Sequence, residues 1–412
     1  MRAADREGNR AAARSARDEL EAAGVDWRSF LTPVRGSTSD QLGLLNESLK
    51  NHTLRQVAQK LNLVRDVRQI LGIADRANDL ARDGTVLDSA FFTNRDPAGV
   101  APDGLAREAR AHGPAGRLRM TDRKEGGTSE GLIAEDEAGD AFIVIFDPPE
   151  FPEMSTAAEV IGSTLLRLAG WNTPWSVIVE LDGLAADADA VREKGISEEE
   201  VAAFRGRRGV ATRMIADGFL GTWTYAVHRE RRALRALQVF GAWLNNTDQV
   251  DHNTLVELTD EDHGLLRYHV IDFSGSLGAS SARVKDPHDG YLNNKVDLHH
   301  GATWPLRQLA TPFGYRHPWD EDEPVVSPAV GRFEAEVEPR LWKPYYPNLA
   351  YEDLEEEDAE WAARLIARFS DELIAAVVAL GEYSDPDDAA YVTRALAVRR
   401  DAIVRTYLGE DP

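Results

Sequence analysis

The stretch from Arg229 to Gly278 constrains the fold more than any other part of this 412-residue chain. It opens with RERRALRALQVFGAWLNN, in which Leu234, Leu237, Gly241 and Leu244 recur at helical spacing and Phe240 and Trp243 widen the stripe. An apolar face of that width predicts a helix docked against a core. A polar break follows from Thr247 to Asn253. TLVEL and LLRYHVID then predict two strands flanking the turn TDEDHG. The second strand runs into Asp272-Phe273-Ser274-Gly275. The order is therefore helix, Asp-x4-Asn loop, β-hairpin and Asp-Phe-Ser.

This order resembles the catalytic segment of a protein-kinase-like fold. In that family phosphoryl transfer depends on positioning and charge neutralisation more than on covalent chemistry. The resemblance implies that Asp248 accepts or orients the proton of an attacking hydroxyl. Asn253, five residues on as in kinases, would ligate one Mg²⁺, and Asp272 at the hairpin end would ligate both ions. There is no His-Arg-Asp, and Asp-Phe-Ser stands where Asp-Phe-Gly is usual. These departures point to the atypical branch, similar to HipA-type bacterial kinases and phosphatidylinositol kinases. Two other readings of the same residues stay open. Asp248 and Asn253 are favoured at helix and turn ends in any fold. Asp251, His252, Asp272, His299 and His300 could form a hydrolase metal cluster, although no ligand spacing such as His-x3-His occurs.

Residues 116–181 predict β-β-β-α-β, an order that resembles a kinase N-lobe. GRLRMTD, GLIAED and AFIVIFD are the strands. EMSTAAEVIGSTLLRLAG is the helix, starting near Ser155 or Thr156 and stopped by Gly170, and WSVIVEL is the last strand. Lys124-Glu125-Gly126-Gly127-Thr128-Ser129 takes the place of the phosphate-covering loop, where glycine lets the backbone approach phosphate. Lys124, Gly126, Gly127 and Thr128 are thus the candidate nucleotide-binding residues, with Glu159 on the helix as the partner of a cation. One residue departs from the pattern. Ile145 stands where the third strand of a kinase carries a phosphate-binding lysine. Either Lys124 supplies that charge from a neighbouring strand, or the chain is a pseudokinase.

LAADADAVREKGISEEEVAAFRG predicts an acidic helical insertion on the surface. RRGVATRMI is a strand and ADGFLG a connector; the kinase resemblance implies that this is the hinge, where the backbone at Met214 and Ile215 would meet adenine, with Arg207, Arg208 and Arg213 nearby. The cluster Arg229-Glu230-Arg231-Arg232 is expected to form surface ion pairs of small individual worth. Beyond Asp272 the chain to Pro305 is rich in Gly, Ser and Asn, which suits an activation-loop equivalent. Ser274, Ser276, Ser280 and Ser281 are its candidate autophosphorylation sites, and His299 and His300 are loop or capping residues. VGRFEAEVEPRLWKPYYPN should lie over the core. Two helices, DLEEEDAEWAARLIARFSDELIAAVVALG and DPDDAAYVTRALAVRRDAIVRTYLG, should close the chain.

The N-terminal region reads as helical to about residue 90, with Leu54, Val57, Leu61, Val64 and Val67 on one stripe and Gly72 and Gly84 as breaks. Residues 89–114 read as loop, with Phe91 and Phe92 anchoring it to the next domain. The expected architecture is α+β and bilobal: a helical extension (1–105) that could hold a protein partner, a β-rich N-lobe (106–217) and a helical C-lobe (218–412). The resemblance implies ATP with Mg²⁺ or Mn²⁺ as cofactors and an acceptor hydroxyl on a protein or small molecule. A net charge of −23 argues against a nucleic-acid or anionic-membrane surface, and it requires local cations for any nucleotide. With no Cys, no disulfide, Cys-ligated zinc or thiol catalysis is available. No membrane span or signal peptide is visible, so a cytoplasmic location is expected.

Overall fold

The computed structural model describes residues 75–124, 128–215, 219–260, 265–287, 289–291 and 325–409. The predicted helices before residue 75 lie outside that set. From Asp75 to Gly84 the chain is irregular rather than helical. The Arg/Asp-rich text there carries helical propensity, but its groups are drawn into tertiary bonds, with Asp79 accepting from the backbone N–H of Arg232 and Ala233.

A helix, α1 (Pro102–Ala111), forms inside the region expected to be loop. Pro102 suits a first helical turn, where its missing N–H is no loss. A domain boundary at 105/106 would cut this helix. Phe92 packs against Trp171 at 5.1 Å and Trp361 at 5.2 Å between ring centroids, and Phe91 stacks on Tyr268 at 4.1 Å. This segment is therefore built into the core and joins parts of the chain far apart in sequence.

The next strands are β1 (Arg119–Arg123), β2 (Gly131–Glu135) and β3 (Ala141–Ile145), followed by helix α2 (Met154–Ala169), β4 (Ser176–Glu180) and β5 (Ala185–Ala186). Helices α3 (Ala188–Lys194) and α4 (Glu198–Phe204) precede β6 (Arg208–Arg213). The six strands form one sheet in the order β4-β6-β3-β2-β1-β5. Burial alternates along β2 and β3, so Leu132, Ala134, Phe142 and Val144 face inward. α2 is buried almost throughout and packs on β4 and β6. Its N-terminus is not capped by Ser155 or Thr156. Glu153 precedes it at φ 70°, and Asp147 accepts from the N–H of Ser155 (2.6 Å) and Thr156 (3.0 Å) instead. The acidic insertion is two helices, fixed to the sheet edge by buried Ile196 and Val201 and by the Arg123–Glu200 pair.

ADGFLG supplies a strand, β7 (Phe219–Gly221), which pairs with β8 (Thr254–Asp260), itself paired with β9 (Leu265–Val270). Between them the expected long helix is divided into α5 (Arg232–Arg235) and α6 (Leu237–Leu244). After β9 come the short strands β10 (Ala279–Ser280) and β11 (Arg283–Val284). The closing helices are α7 (Leu349–Glu352), α8 (Glu356–Ile366), α9 (Asp371–Ala379) and α10 (Pro386–Leu408). The first of the two expected closing helices is thus interrupted, because the Ser370 hydroxyl caps a new helix by accepting from Leu373 N–H. A sheet-rich half followed by a helix-rich half is compatible with a bilobal kinase-like fold. Among the described residues, no helix is long and apolar enough to cross a membrane.

Of the basic cluster, Arg232 is buried, Arg229 and Arg231 are half-buried and Glu230 is exposed, so the expected surface ion pairs are replaced at Arg232 by a buried one shared with the neighbouring Arg235. Arg235 is 0% exposed, and with Arg232 it shares the carboxylate of Asp358 at 3.3 and 2.8 Å. Asp358 also accepts from the N–H of Glu355 to close the start of α8. Asp358→Ala leaves two buried guanidiniums short of counter-charge and should cost about 3–5 kcal/mol. Urea denaturation measures this; a loss of only about 0–1 kcal/mol would place the pair in the surface class after all.

His228 lies among Phe91, Trp223 and Tyr268. Burial first, then the charge of Arg231, lowers its pKa from 6.5 to about 4. Between those values the unfolded chain binds a proton that the native imidazole does not, so stability falls as pH falls through that window. His228→Leu should flatten the stability–pH curve there; an unchanged slope would refute this.

Candidate active site

α6 ends at Asn245, whose φ of 49° turns the chain sharply, a conformation Asn tolerates. Its side chain fixes the turn: Oδ1 accepts from Trp342 Nε1 (3.0 Å) and Nδ2 donates to Leu277 O (3.3 Å). The next loop is held from outside by Tyr345 N–H on Thr247 O and from inside by Asn253 N–H on Val250 O (3.0 Å). Asn253 Nδ2 donates to Asp248 O at 2.7 Å and to its carboxylate at 3.3 Å. The planar amide therefore directs its oxygen away from Asp248, which makes that oxygen the atom able to ligate a cation.

The hairpin brings the third residue in. Thr254 pairs with Val270, and one step outward Ile271 N–H donates to Asn253 O at 3.0 Å. Asp272 is the next residue. It is exposed, sits at φ 62°, and accepts from Ser274 Oγ at 2.6 Å. A non-glycine residue in this region is strained and is often found at functional sites. The tail then folds back beside the loop, so that a Cβ on Gly275 would stand 3.6 Å from Asp248 Cβ. Asp248, Asn253 and Asp272 are brought together. Burial raises the Asp248 pKa to about 7, and the nearby Asp272 charge adds to the effect.

α2 meets this tail from the other side. Glu159 is buried, its carboxylate accepting from Phe273 N–H at 2.5 Å and from Ser176 Oγ at 3.1 Å. Burial, with Asp272 adding repulsion, holds its pKa well above the usual carboxylate range. The expected role of Glu159 as the partner of a cation is thus replaced, in this geometry, by an anchor on the backbone next to Asp272. Gly162, one turn along, lets the Phe273 side chain lie against the helix.

Lys124 approaches from the sheet. Its stem crosses β2 at Gly131, where a Cβ would come within 2.7 Å of Lys124 Cδ and 3.4 Å of Ile145 Cγ2. Its ammonium donates to Ser129 O at 2.8 Å, and Asp272 is the charged group that opposes the lowering of its pKa by burial. The lysine thus lies over the strand position that Ile145 fills. Gly126 and Gly127 fall outside the described residues, and Thr128 is exposed. The N–H of Met214 is committed to Ala141 O (2.8 Å), so only its carbonyl could serve as a hinge group. Arg207, Arg208 and Arg213 pair with Glu130, Asp147 and Asp140, which accounts for their charge without a ligand.

Two of the serines expected as phosphorylation sites, Ser274 and Ser276, are 2% and 0% exposed and cannot be reached without unfolding the tail. Sequence reasoning missed Lys285, a fully buried lysine behind the Asp248 loop. The sequence carries only a weak signal for it, since Lys285 is one of two lysines in the Gly/Ser/Asn-rich stretch after Asp272. Among the described residues, no three His, Asp or Glu side chains gather as a preformed metal cluster. Asp251, His252 and Asp272 therefore do not form the hydrolase set, whose His299 and His300 lie outside the described residues. Asp251 is used differently, accepting from Tyr225 N–H.

No family model matches the chain, and no curated protein matches it. Among solved structures, the crystal structure of a Helicobacter pylori proinflammatory kinase, CtkA, is similar at 9% identity and a TM-score of 0.40, covering 72% of this chain and 97% of that one.

A methyl at Gly162 would stand 2.9 Å from Phe273 Cβ. Gly162→Ala gains about 1 kcal/mol of helix propensity but loses about 1–3 kcal/mol to overpacking. The variant should be no more stable than the parent in urea; a clear gain in stability would show that Phe273 is not confined by the helix.

Proposed function

We propose that this chain is an atypical kinase, similar to the HipA type, that transfers phosphate from ATP to a hydroxyl of a protein Ser or Thr or of a small molecule. The observation that carries the reading is the convergence of Asp248, Asn253 and Asp272 through a loop and hairpin. Asn253 Oδ1 and the exposed Asp272 carboxylate suit Mg²⁺ or Mn²⁺, hard cations that take oxygen ligands and share them with phosphate. Two protein ligands suffice when the nucleotide supplies the others. The ion, when bound, would neutralise charge on the transferring phosphate.

The chain's own residues have separable tasks. Asp248, with a pKa near neutrality, would accept a hydrogen bond from the acceptor hydroxyl and orient it. Lys124, brought across Gly131, would hold phosphate oxygens in place of a lysine at position 145. Glu159 would keep Asp272 in register by fixing the Phe273 amide. Ile145 also favours a second reading, a pseudokinase that binds nucleotide or a protein partner without turnover.

A thermal-shift titration with ATP, with and without Mg²⁺ or Mn²⁺, separates the two when paired with ATP turnover. Saturation at about 100 times Kd should add about 2.7 kcal/mol of stability. That gain should require metal and vanish in Asp272→Ala. Turnover should fall about 100-fold or more in Asp248→Ala. Metal-dependent binding without turnover under either ion would establish the pseudokinase, and no shift at all would refute nucleotide binding.

A further inference from the structure

Lys285 has no role in the scheme above, yet it occupies a costly position. It is 1% exposed, and a buried ammonium loses several kcal/mol of hydration unless its donors are met. All three are. Nζ donates to Gly275 O at 2.6 Å, to Ala279 O at 2.7 Å and to Thr247 Oγ1 at 3.2 Å. The backbone around it is equally fixed, with Lys285 N–H on Gly278 O (3.0 Å) and Arg332 Nη1 donating to Lys285 O (2.6 Å).

The partners belong to two different segments. Thr247 immediately precedes Asp248, whereas Gly275 and Ala279 follow Asp272 on the folded-back tail. One cation therefore ties the loop bearing the proposed hydroxyl-orienting carboxylate to the segment bearing the metal-binding carboxylate. Asp248 and Asp289 are the acids that favour its charge, with Arg283 and Arg399 opposing. Asp248 and Asp272 repel each other, and the hydrogen bonds from Lys285 to the segments that bear them oppose their separation.

We propose that Lys285 is a positioning residue for phosphoryl transfer, holding Asp248 at its working distance from Asp272 through Thr247 and the Gly275 and Ala279 carbonyls. The proposal rests on the phosphotransferase reading. A positional error of about 1 Å can cost about 100-fold in rate. Because Lys285 is buried and its three donors are taken by protein groups, it has none to offer ATP, so the loss should fall on kcat and leave KM for ATP nearly unchanged.

The test is steady-state ATP turnover with Mg²⁺ for wild type, Lys285→Met, Thr247→Val and the double variant, each checked for folding by its melting curve. Lys285→Met should lower kcat about 10- to 100-fold at near-constant KM. Thr247→Val should act in the same direction more weakly, and the double variant should be no slower than Lys285→Met, since the shared contact is already gone. Wild-type kcat in Lys285→Met, or multiplying losses in the double variant, would overturn the proposal. If Lys285→Met does not fold, Thr247→Val decides: a lower kcat with wild-type melting supports the role, and an unchanged kcat refutes it. A wild-type chain that turns over no ATP overturns the phosphotransferase reading and this role with it. An active wild type with equally active variants overturns this role alone.

Discussion

The burial of carboxylates around Asp272 governs the centre of this molecule. Burial raises the proton affinity of both Glu159 and Asp248, and the Asp272 charge adds to it in each case. Like charges in a poorly solvated place move apart unless the backbone holds them. Lys124 and Lys285 approach from opposite sides, one over the sheet and one behind the loop, and each feels one of these acids. In the proposed reading, a divalent ion between Asn253 and Asp272 would add the positive charge that a bound nucleotide needs beyond these two lysines.

Holding such a centre together requires rigid supports, and these are mostly backbone groups met by buried side chains. Arg399, on α10, donates to the carbonyls of Ala242 and Trp243, the last turn of α6, just before the Asp248 loop. Helix C-terminal carbonyls lack intrahelical partners and carry partial negative charge, so a buried guanidinium is a fitting cap. Trp342 fixes the Asn245 turn, and Asp358 gathers Arg232 and Arg235 beneath α5. The C-terminal helices thus stabilise the site from behind without contributing a residue to it.

The loop, hairpin and acidic tail were legible because each has a local signature: helical spacing, alternation, and Asp or Asn where the chain turns. The same holds for β1 to β4 and α2. What escaped depends on partners distant in sequence. Arg232 looks like a surface charge until Asp358, more than a hundred residues on, is known to face it. Asp147 caps α2 from outside it, so no reading of the helix's own first turn could find the cap. α1 hides in a Pro/Gly-rich text because its apolar face is short, with Leu105 and Ala109 as its buried residues. Of the candidate site residues, Asp248, Asn253 and Asp272 are brought together, Lys124 and Glu159 lie around them, and Met214 has its amide already committed.

If Lys124 holds phosphate as proposed, the isoleucine at position 145 is the case of a site that keeps a charge while changing the segment that carries it. A phosphate is stabilised by an ammonium at a point in space, and the covalent route to that point is immaterial to the field it produces. Lys124 has a four-carbon stem, long enough to cross one strand if the residue beneath it lacks a side chain. Gly131 meets that condition, since a Cβ there would collide with both the stem and Val144 O. Ile145, paired with Gly131 across the ladder, then gives the stem an apolar surface on which to lie. The sequence already offers Lys124 as the replacement for a lysine at position 145, and the fold adds Gly131, which leaves room for the stem on its way toward Asp272.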